Sequence, residues 1–123
     1  YIVFSSEFKD LQVRINRTQM VRIITNLIKN ALEACELIKE PKVQVIIEKK
    51  KKEVLINVMD NGQGISKELK NKIFEPKFTT KTSGMGLGLG MVKNLVDSYN
   101  GRISMSSKIN TGTTFSITFP LND

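Results

Sequence analysis

From Gly84 to Gly90 every second residue is glycine, "GMGLGLG", and the run leads directly into the apolar-periodic segment "MVKNLV". Within a helix or strand each glycine is worth about 1 kcal/mol less than alanine, so such a run is poor material for a regular element. It reads as a loop that delivers the chain into a helix with Leu89, Val92, Val96 and Tyr99 on its apolar face. Glycines ahead of a helix N-terminus bare backbone N–H groups and allow close approach, which is the making of an anion site. Two better-known phosphate loops do not match: there is no Gly-Lys-Ser/Thr ending, and the spacing is not G-x-G-x-x-G. A purely structural glycine loop stays open at this point.

The rest of the composition limits the chemistry. At 123 residues the chain is a single domain, spanning 1–123. A chain of that length buries about two-thirds of its unfolded surface. Hydrophobic residues make up 40% and charged residues 25%, as in ordinary globular chains. There is no apolar run of membrane-span length and no signal-peptide pattern. The one cysteine, Cys35, cannot form an internal disulfide, which fits a reducing compartment. Net charge is +7, pointing to an anionic partner. The chain has no histidine, so neither imidazole catalysis nor phosphohistidine formation can occur on it.

Periodicity lays out the elements. Residues 1–4 and 11–15 read as strands, the second alternating apolar and polar. Asn16 with Gln19 forms a capping-box pattern that opens a long helix. Its apolar stripe is Met20, Ile24, Leu27, Ile28, Ala31, Leu32 and Cys35, and Pro41 marks its exit. Residues 42–48 and 54–60 alternate as a hairpin around the lysine-rich turn 49–52. Ser66 opens a short helix over 67–73, Asn100-Gly101 caps the later helix, and 102–107 with 113–119 form a closing hairpin. Helices segregated from paired strands imply a helical layer on a mostly antiparallel sheet, an α+β fold.

Two polar constellations stand out from this scaffold. Asn26 and Asn30 lie four apart and so share a helix face beside the apolar stripe. They are either two surface amides or a polar wall whose carbonyl oxygen ligates Mg²⁺ together with phosphates and water. Asp60-x-Gly62-x-Gly64 sets a carboxylate at a strand end beside an open backbone. It is either an Asx turn or an acceptor for an exocyclic amine such as that of adenine.

The segments "NLIKNALEA" (26–34), "DNGQGI" (60–65), "FEPKFTTK" (74–81), "GMGLGL" (84–89) and "TGTTF" (111–115) follow in this order at compact spacing. Together they resemble the N, first glycine, phenylalanine, second glycine and third glycine boxes of the catalytic and ATP-binding (HATPase) domain of sensor histidine kinases, within the gyrase, Hsp90, histidine kinase and MutL ATPase superfamily. The resemblance covers residues 11–120, and the short stretch between Phe78 and Gly84 is most similar to nitrogen-regulation-type kinases. It implies a two-layer α/β sandwich of Bergerat type, with helices on one face of a mixed, mostly antiparallel sheet and ATP under a lid formed by residues 77–83.

The same resemblance implies a site. Asn30 would ligate Mg²⁺, while Asn26 stands where the gyrase branch has a water-activating glutamate. Asparagine is a poor base, so Asn26 favours phosphoryl transfer over hydrolysis. Asp60 would accept from the adenine amine, Gly62 and Gly64 would give the base room, and Thr113 would reach it through water. Ile65 and Leu89 would contact base or ribose. Gly84, Met85, Gly86, Leu87 and Gly88 would wrap the phosphates through their amides, with Lys77, Thr80 and Lys81 as further lid contacts. Two positions depart from the pattern. Glu33 stands where many relatives carry a basic phosphate-facing residue, and Arg17 where an aspartate often precedes the helix.

With no histidine of its own, the chain would pass its γ-phosphate to a histidine on the separate dimerisation domain of the same kinase, and so indirectly serve a response regulator. The abrupt start at Tyr1 fits a fragment of such a kinase, acting in the cytoplasm without membrane contact of its own. The alternatives are a stand-alone anti-sigma-type kinase directed at serine and a module that senses nucleotide without transferring phosphate. Nucleic-acid binding is the weakest reading, because the lysines are scattered and no aromatic residues interleave them.

Overall fold

In the computed structural model the residues described are 2–4, 11–70, 72–74 and 88–121. The elements run β1 (Ile2–Phe4), β2 (Leu11–Val13), α1 (Arg17–Ala34), β3 (Val43–Lys50), β4 (Glu53–Asp60), α2 (Lys67–Lys70), α3 (Leu89–Ser98), β5 (Arg102–Lys108) and β6 (Gly112–Pro120). β1 and β2 form a two-stranded ladder, and the other strands make one sheet in the order β3-β4-β6-β5. The expected mixed sheet narrows on this point: every pairing among the described residues is antiparallel.

The central strands explain the layering. Along β4 the inward residues Val54, Ile56 and Val58 are buried, and along β6 so are Thr113, Phe115, Ile117 and Phe119. Their cross-strand register pairs Ile56 with Ile117 and Val58 with Phe115, so one face of the sheet is a continuous apolar surface. α1 and α3 close over it with Ile23, Leu27, Val92 and Val96, all essentially inaccessible. Burying one such side chain contributes about 1.5–3 kcal/mol, so this layer is the main source of stability.

Helix α1 departs from the sequence reading in three ways. Its buried stripe is Met20, Ile23, Leu27, Asn30, Ala31 and Ala34, whereas Leu32, expected inside, is 58% exposed. α1 packs across β4 and α3, and that leaves its flank towards edge strand β3 uncovered; Val45 and Ile47 of β3 are exposed for the same reason. The capping box is half made: Gln19 N donates to Asn16 Oδ1 at 3.3 Å, but Gln19 Oε1 is buried without a partner. The helix stops at Ala34 rather than running on towards Pro41, because the Ala34 carbonyl is taken by the N–H of Gln63 at 3.1 Å.

The other boundaries shift less. Lys49 and Lys50 extend β3, leaving Lys51 and Lys52 as the turn, with Lys51 at φ 58°. α2 is helical for four residues, and the following turn carries Ile73 into the core and Phe74 edge-on against Phe115 at 6.3 Å. α3 ends as expected at Asn100-Gly101. Asn100 takes φ 63°, and the N–H groups of Gly101 and Asn100 donate to Val96 O (2.9 Å) and Asp97 O (3.1 Å), a Schellman closure with asparagine in the left-handed position.

Candidate functional site

Two helices meet where the sequence placed its polar wall. Asn30 is 4% exposed and donates through Nδ2 to Asn26 Oδ1 at 3.3 Å, so the two amides form one ridge on α1. Across from it stands Gly88, the N-cap of α3, in the left-handed conformation at φ 77°. A Cβ on Gly88 would run into Asn26 Nδ2, so glycine is what allows the two helices this approach. No side chain caps α3, and its first turn holds no acidic residue. Among the described residues no side chain takes its leading N–H groups, an arrangement suited to something anionic beside the asparagine ridge. Leu89, the first residue of α3, is buried in the core rather than set out as a free contact surface.

At the C-terminal end of β4, Asp60 lies between Val43 of β3 and Thr113 of β6. Its Oδ1 accepts from Gly62 N at 2.8 Å, the Asx-turn geometry. Burial pushes the Asp60 carboxyl up from its ordinary value, while the N–H groups of Gly62 and Thr113 draw it back. A half-buried carboxylate accepting from these two donors has acceptor capacity left over.

The glycines of "DNGQG" turn out to have protein neighbours. A Cβ on Gly62 would lie 2.5 Å from Ala34 O, and one on Gly64 (φ 80°) would strike the Lys108 carbonyl. The close approach these glycines permit in the structure is that of α1 and the β5–β6 turn. Gly112 plays the same part for Asp60, whose carbonyl oxygen occupies the place of its Cβ.

Three side chains that sequence reasoning passed over hold this region together. Asn61 Oδ1 accepts from Lys42 N at 2.8 Å, and its Nδ2 donates to Glu40 O at 2.9 Å, clamping the α1–β3 connection to the Asp60 turn. Ser107 Oγ accepts from Ile65 N at 2.8 Å and meets Thr113 Oγ1, also at 2.8 Å. Lys70 Nζ donates to Ser107 O at 2.6 Å. Ile65 is 6% and Thr113 3% exposed, so this serine ties two expected site residues to one another from β5. Nothing in the spacing of Ser104, Ser106 and Ser107 singles it out.

The structure thus brings Asn26, Asn30 and Gly88 together, and links Asp60, Gly62, Gly64, Ile65 and Thr113 around the ends of β4 and β6. Lys77, Thr80, Lys81, Gly84, Met85, Gly86 and Leu87 lie outside the described residues, as does the expected lid. Of the two departures from the family pattern, Arg17 opens α1 in the exposed first turn. Glu33 has one carboxylate oxygen, Oε2, buried without a hydrogen-bond partner among the described residues. Among the described residues no group of three or more His, Cys, Asp or Glu could hold a metal alone, and no helix is long and apolar enough to cross a membrane. The donors present are hard oxygens, the Asn30 amide carbonyl and the unpartnered Glu33 oxygen. They suit Mg²⁺ entering together with a polyphosphate, because Mg²⁺ is held by one or two protein oxygens plus substrate oxygens and water.

Known proteins decide the family. Residues 15–123 match the model for the histidine kinase-, DNA gyrase B- and HSP90-like ATPases. The chain belongs to that family. It is 35% identical to sporulation kinase A of Bacillus subtilis over 98% of this chain, and 36% identical to the C4-dicarboxylate transport sensor protein DctB of Rhizobium meliloti over 87%. It spans about a fifth of the length of these relatives, 20% and 17%. The catalytic domain of histidine kinase ThkA superposes with a TM-score of 0.79 at 35% identity, covering 91% of this chain and 72% of that one. The α+β architecture of this chain is thus the fold of a histidine kinase catalytic domain.

Proposed function

We propose that this chain is the ATP-binding catalytic domain of a two-component sensor kinase. It holds Mg-ATP between α1 and α3 and presents the γ-phosphate to a histidine on a separate dimerisation domain of the same protein. The observation that carries this reading is the contact between the Asn26–Asn30 ridge and the left-handed, side-chain-free N-cap of α3 at Gly88. Phosphates match the N-terminus of α3, a cation matches the asparagine carbonyl, and the adenine amine matches the Asp60 carboxylate. Asn26 has no basicity with which to activate water, so the γ-phosphate is kept for transfer. Residues 77–88 would complete the phosphate side, with Lys77, Thr80 and Lys81 as its contacts. Domain 1–123 is in this reading one part of a longer, cytoplasm-facing kinase, and a response regulator receives the phosphoryl group next.

The test uses the domain with γ-labelled ATP. Alone, it should bind nucleotide and acquire no acid-labile label, since it contains no histidine. A helical-hairpin domain from its own kinase, added in trans, should become labelled on histidine. The transfer should be slow, because tethering no longer raises the local concentration. Label on a serine or threonine of a protein partner, with none on histidine, would refute the assignment and favour a serine-directed kinase.

A further inference from the structure

Glu33 lies three residues beyond Asn30 and seven beyond Asn26 in α1, so the three polar side chains follow one ridge of the helix. Its Oε2 is closed off from solvent and has no hydrogen-bond donor among the described residues. Neither ion pair among the described residues, Lys93–Asp97 or Arg102–Glu53, involves it. A carboxylate oxygen withdrawn from water and left bare is costly, and what satisfies it is a donor or a cation. Next to it, the Asn30 NH₂ is engaged by Asn26 at 3.3 Å, and its carbonyl oxygen is not used in that bond. One neutral and one anionic oxygen three residues apart on α1, the helix that meets the N-terminus of α3 at Asn26, make half of a hard-cation site. The incoming phosphates supply the other half.

We infer that Glu33 supplies a carboxylate oxygen to the divalent cation beside Asn30, which makes the cation a condition of nucleotide binding. The inference rests on the nucleotide reading above. With the cation present, Glu33 is neutralised and attracts. Without it, the same charge confronts a triphosphate at close range and repels. A basic residue in this place would instead bind the phosphates directly and relax the need for metal. Glutamate therefore turns a site that tolerates bare nucleotide into one that selects the metal complex.

Because of this, Glu33→Gln should move two affinities in opposite directions. Mn²⁺ uptake, read by electron paramagnetic resonance on the domain saturated with a non-hydrolysable ATP analogue, should weaken by tenfold or more. Affinity for the same analogue in excess chelator, read by calorimetry, should rise. Glu33→Asp, which keeps the charge but retracts it by one methylene, should weaken Mn²⁺ uptake without the gain in metal-free affinity. Unchanged Mn²⁺ uptake in Glu33→Gln would overturn the inference. So would loss of metal-free and metal-bound affinity together, which would place the carboxylate on a ribose hydroxyl or a lysine instead. If the wild-type domain bound no nucleotide under either condition, the proposed function itself would fall with it.

Discussion

Asp60 carries two opposed demands, and replacing it by asparagine separates them. The carboxyl is half-buried at the end of β4, and burial raises its proton affinity above the ordinary value despite donors from Gly62 and Thr113. A folded carboxyl that titrates above its unfolded counterpart weakens the fold when ionised. Its stabilising contribution is complete below the unfolded value, near 3.8, and is lost as pH rises through the raised folded value. At neutral pH the native protein therefore bears the ionised group at a cost, and Asp60→Asn removes that cost. Asparagine keeps an Oδ1 to accept the 2.8 Å bond from Gly62 N, so the turn survives. The expected result is an apo variant at least as stable as the wild type at pH 7, melting at the same temperature or higher.

Nucleotide binding should go the other way. Loss of a charged acceptor for the adenine amine removes about 1.5–3 kcal/mol. That corresponds to roughly ten- to hundred-fold in Kd. Wild-type affinity should also fall as acidification protonates Asp60, at a pH above its unfolded value near 3.8, and the variant should lose that dependence. Calorimetric titration with ATP and GTP at several pH values, alongside thermal melts, measures all of this. GTP should bind the wild type poorly, because its carbonyl would face the carboxylate. Equal affinities for ATP and GTP, or a variant that loses stability and affinity together, would refute the reasoning and reduce Asp60 to a turn residue.

Two further substitutions probe the frame around the cleft. Gly88→Ala forces a Cβ into the left-handed region, at about 1–2 kcal/mol, and into Asn26. It should lower the melting temperature by roughly 3–10 °C and weaken nucleotide binding, and an unchanged melt with unchanged affinity would show that the α1–α3 approach is not fixed by this glycine. Ser107→Ala leaves the Ile65 N–H without its 2.8 Å partner and should destabilise by about 1–3 kcal/mol in urea unfolding, the cost of an orphaned buried donor. A loss below about 0.5 kcal/mol would mean that water replaces the hydroxyl.

Much of this architecture was legible because periodicity and packing agree. In β6 the alternation of Phe115, Ile117 and Phe119 with Thr114, Ser116 and Thr118 matches the burial residue for residue. For α1 the pattern was ambiguous, since apolar residues occupy both Ile23 and Ile24, and both Ala31 and Leu32. Which stripe is buried depends on where β4 and α3 lie beneath the helix. That is a tertiary fact, and it left Leu32 outside. The end of α1 was unreadable for a similar reason: Pro41 is the local stop signal, but the helix is cut short at Ala34 by the N–H of Gln63, distant in sequence.

The candidate site shows the same division in sharper form. Residue type and spacing singled out Asn26, Asn30 and Asp60 as candidates, and the structure places Asn26 and Asn30 on one ridge and Asp60 in an Asx turn at a strand end. They could not say what the glycines accommodate, since a missing Cβ records that something comes close without recording what. Around Gly62 and Gly64 that neighbour is the chain itself, so the turn after Asp60 is braced from two sides by Ala34 and Lys108. Bracing of this kind holds a half-buried carboxylate in place against its own cost of burial. If Asp60 receives the adenine amine as proposed, replacing either glycine should lower nucleotide affinity through the position of Asp60.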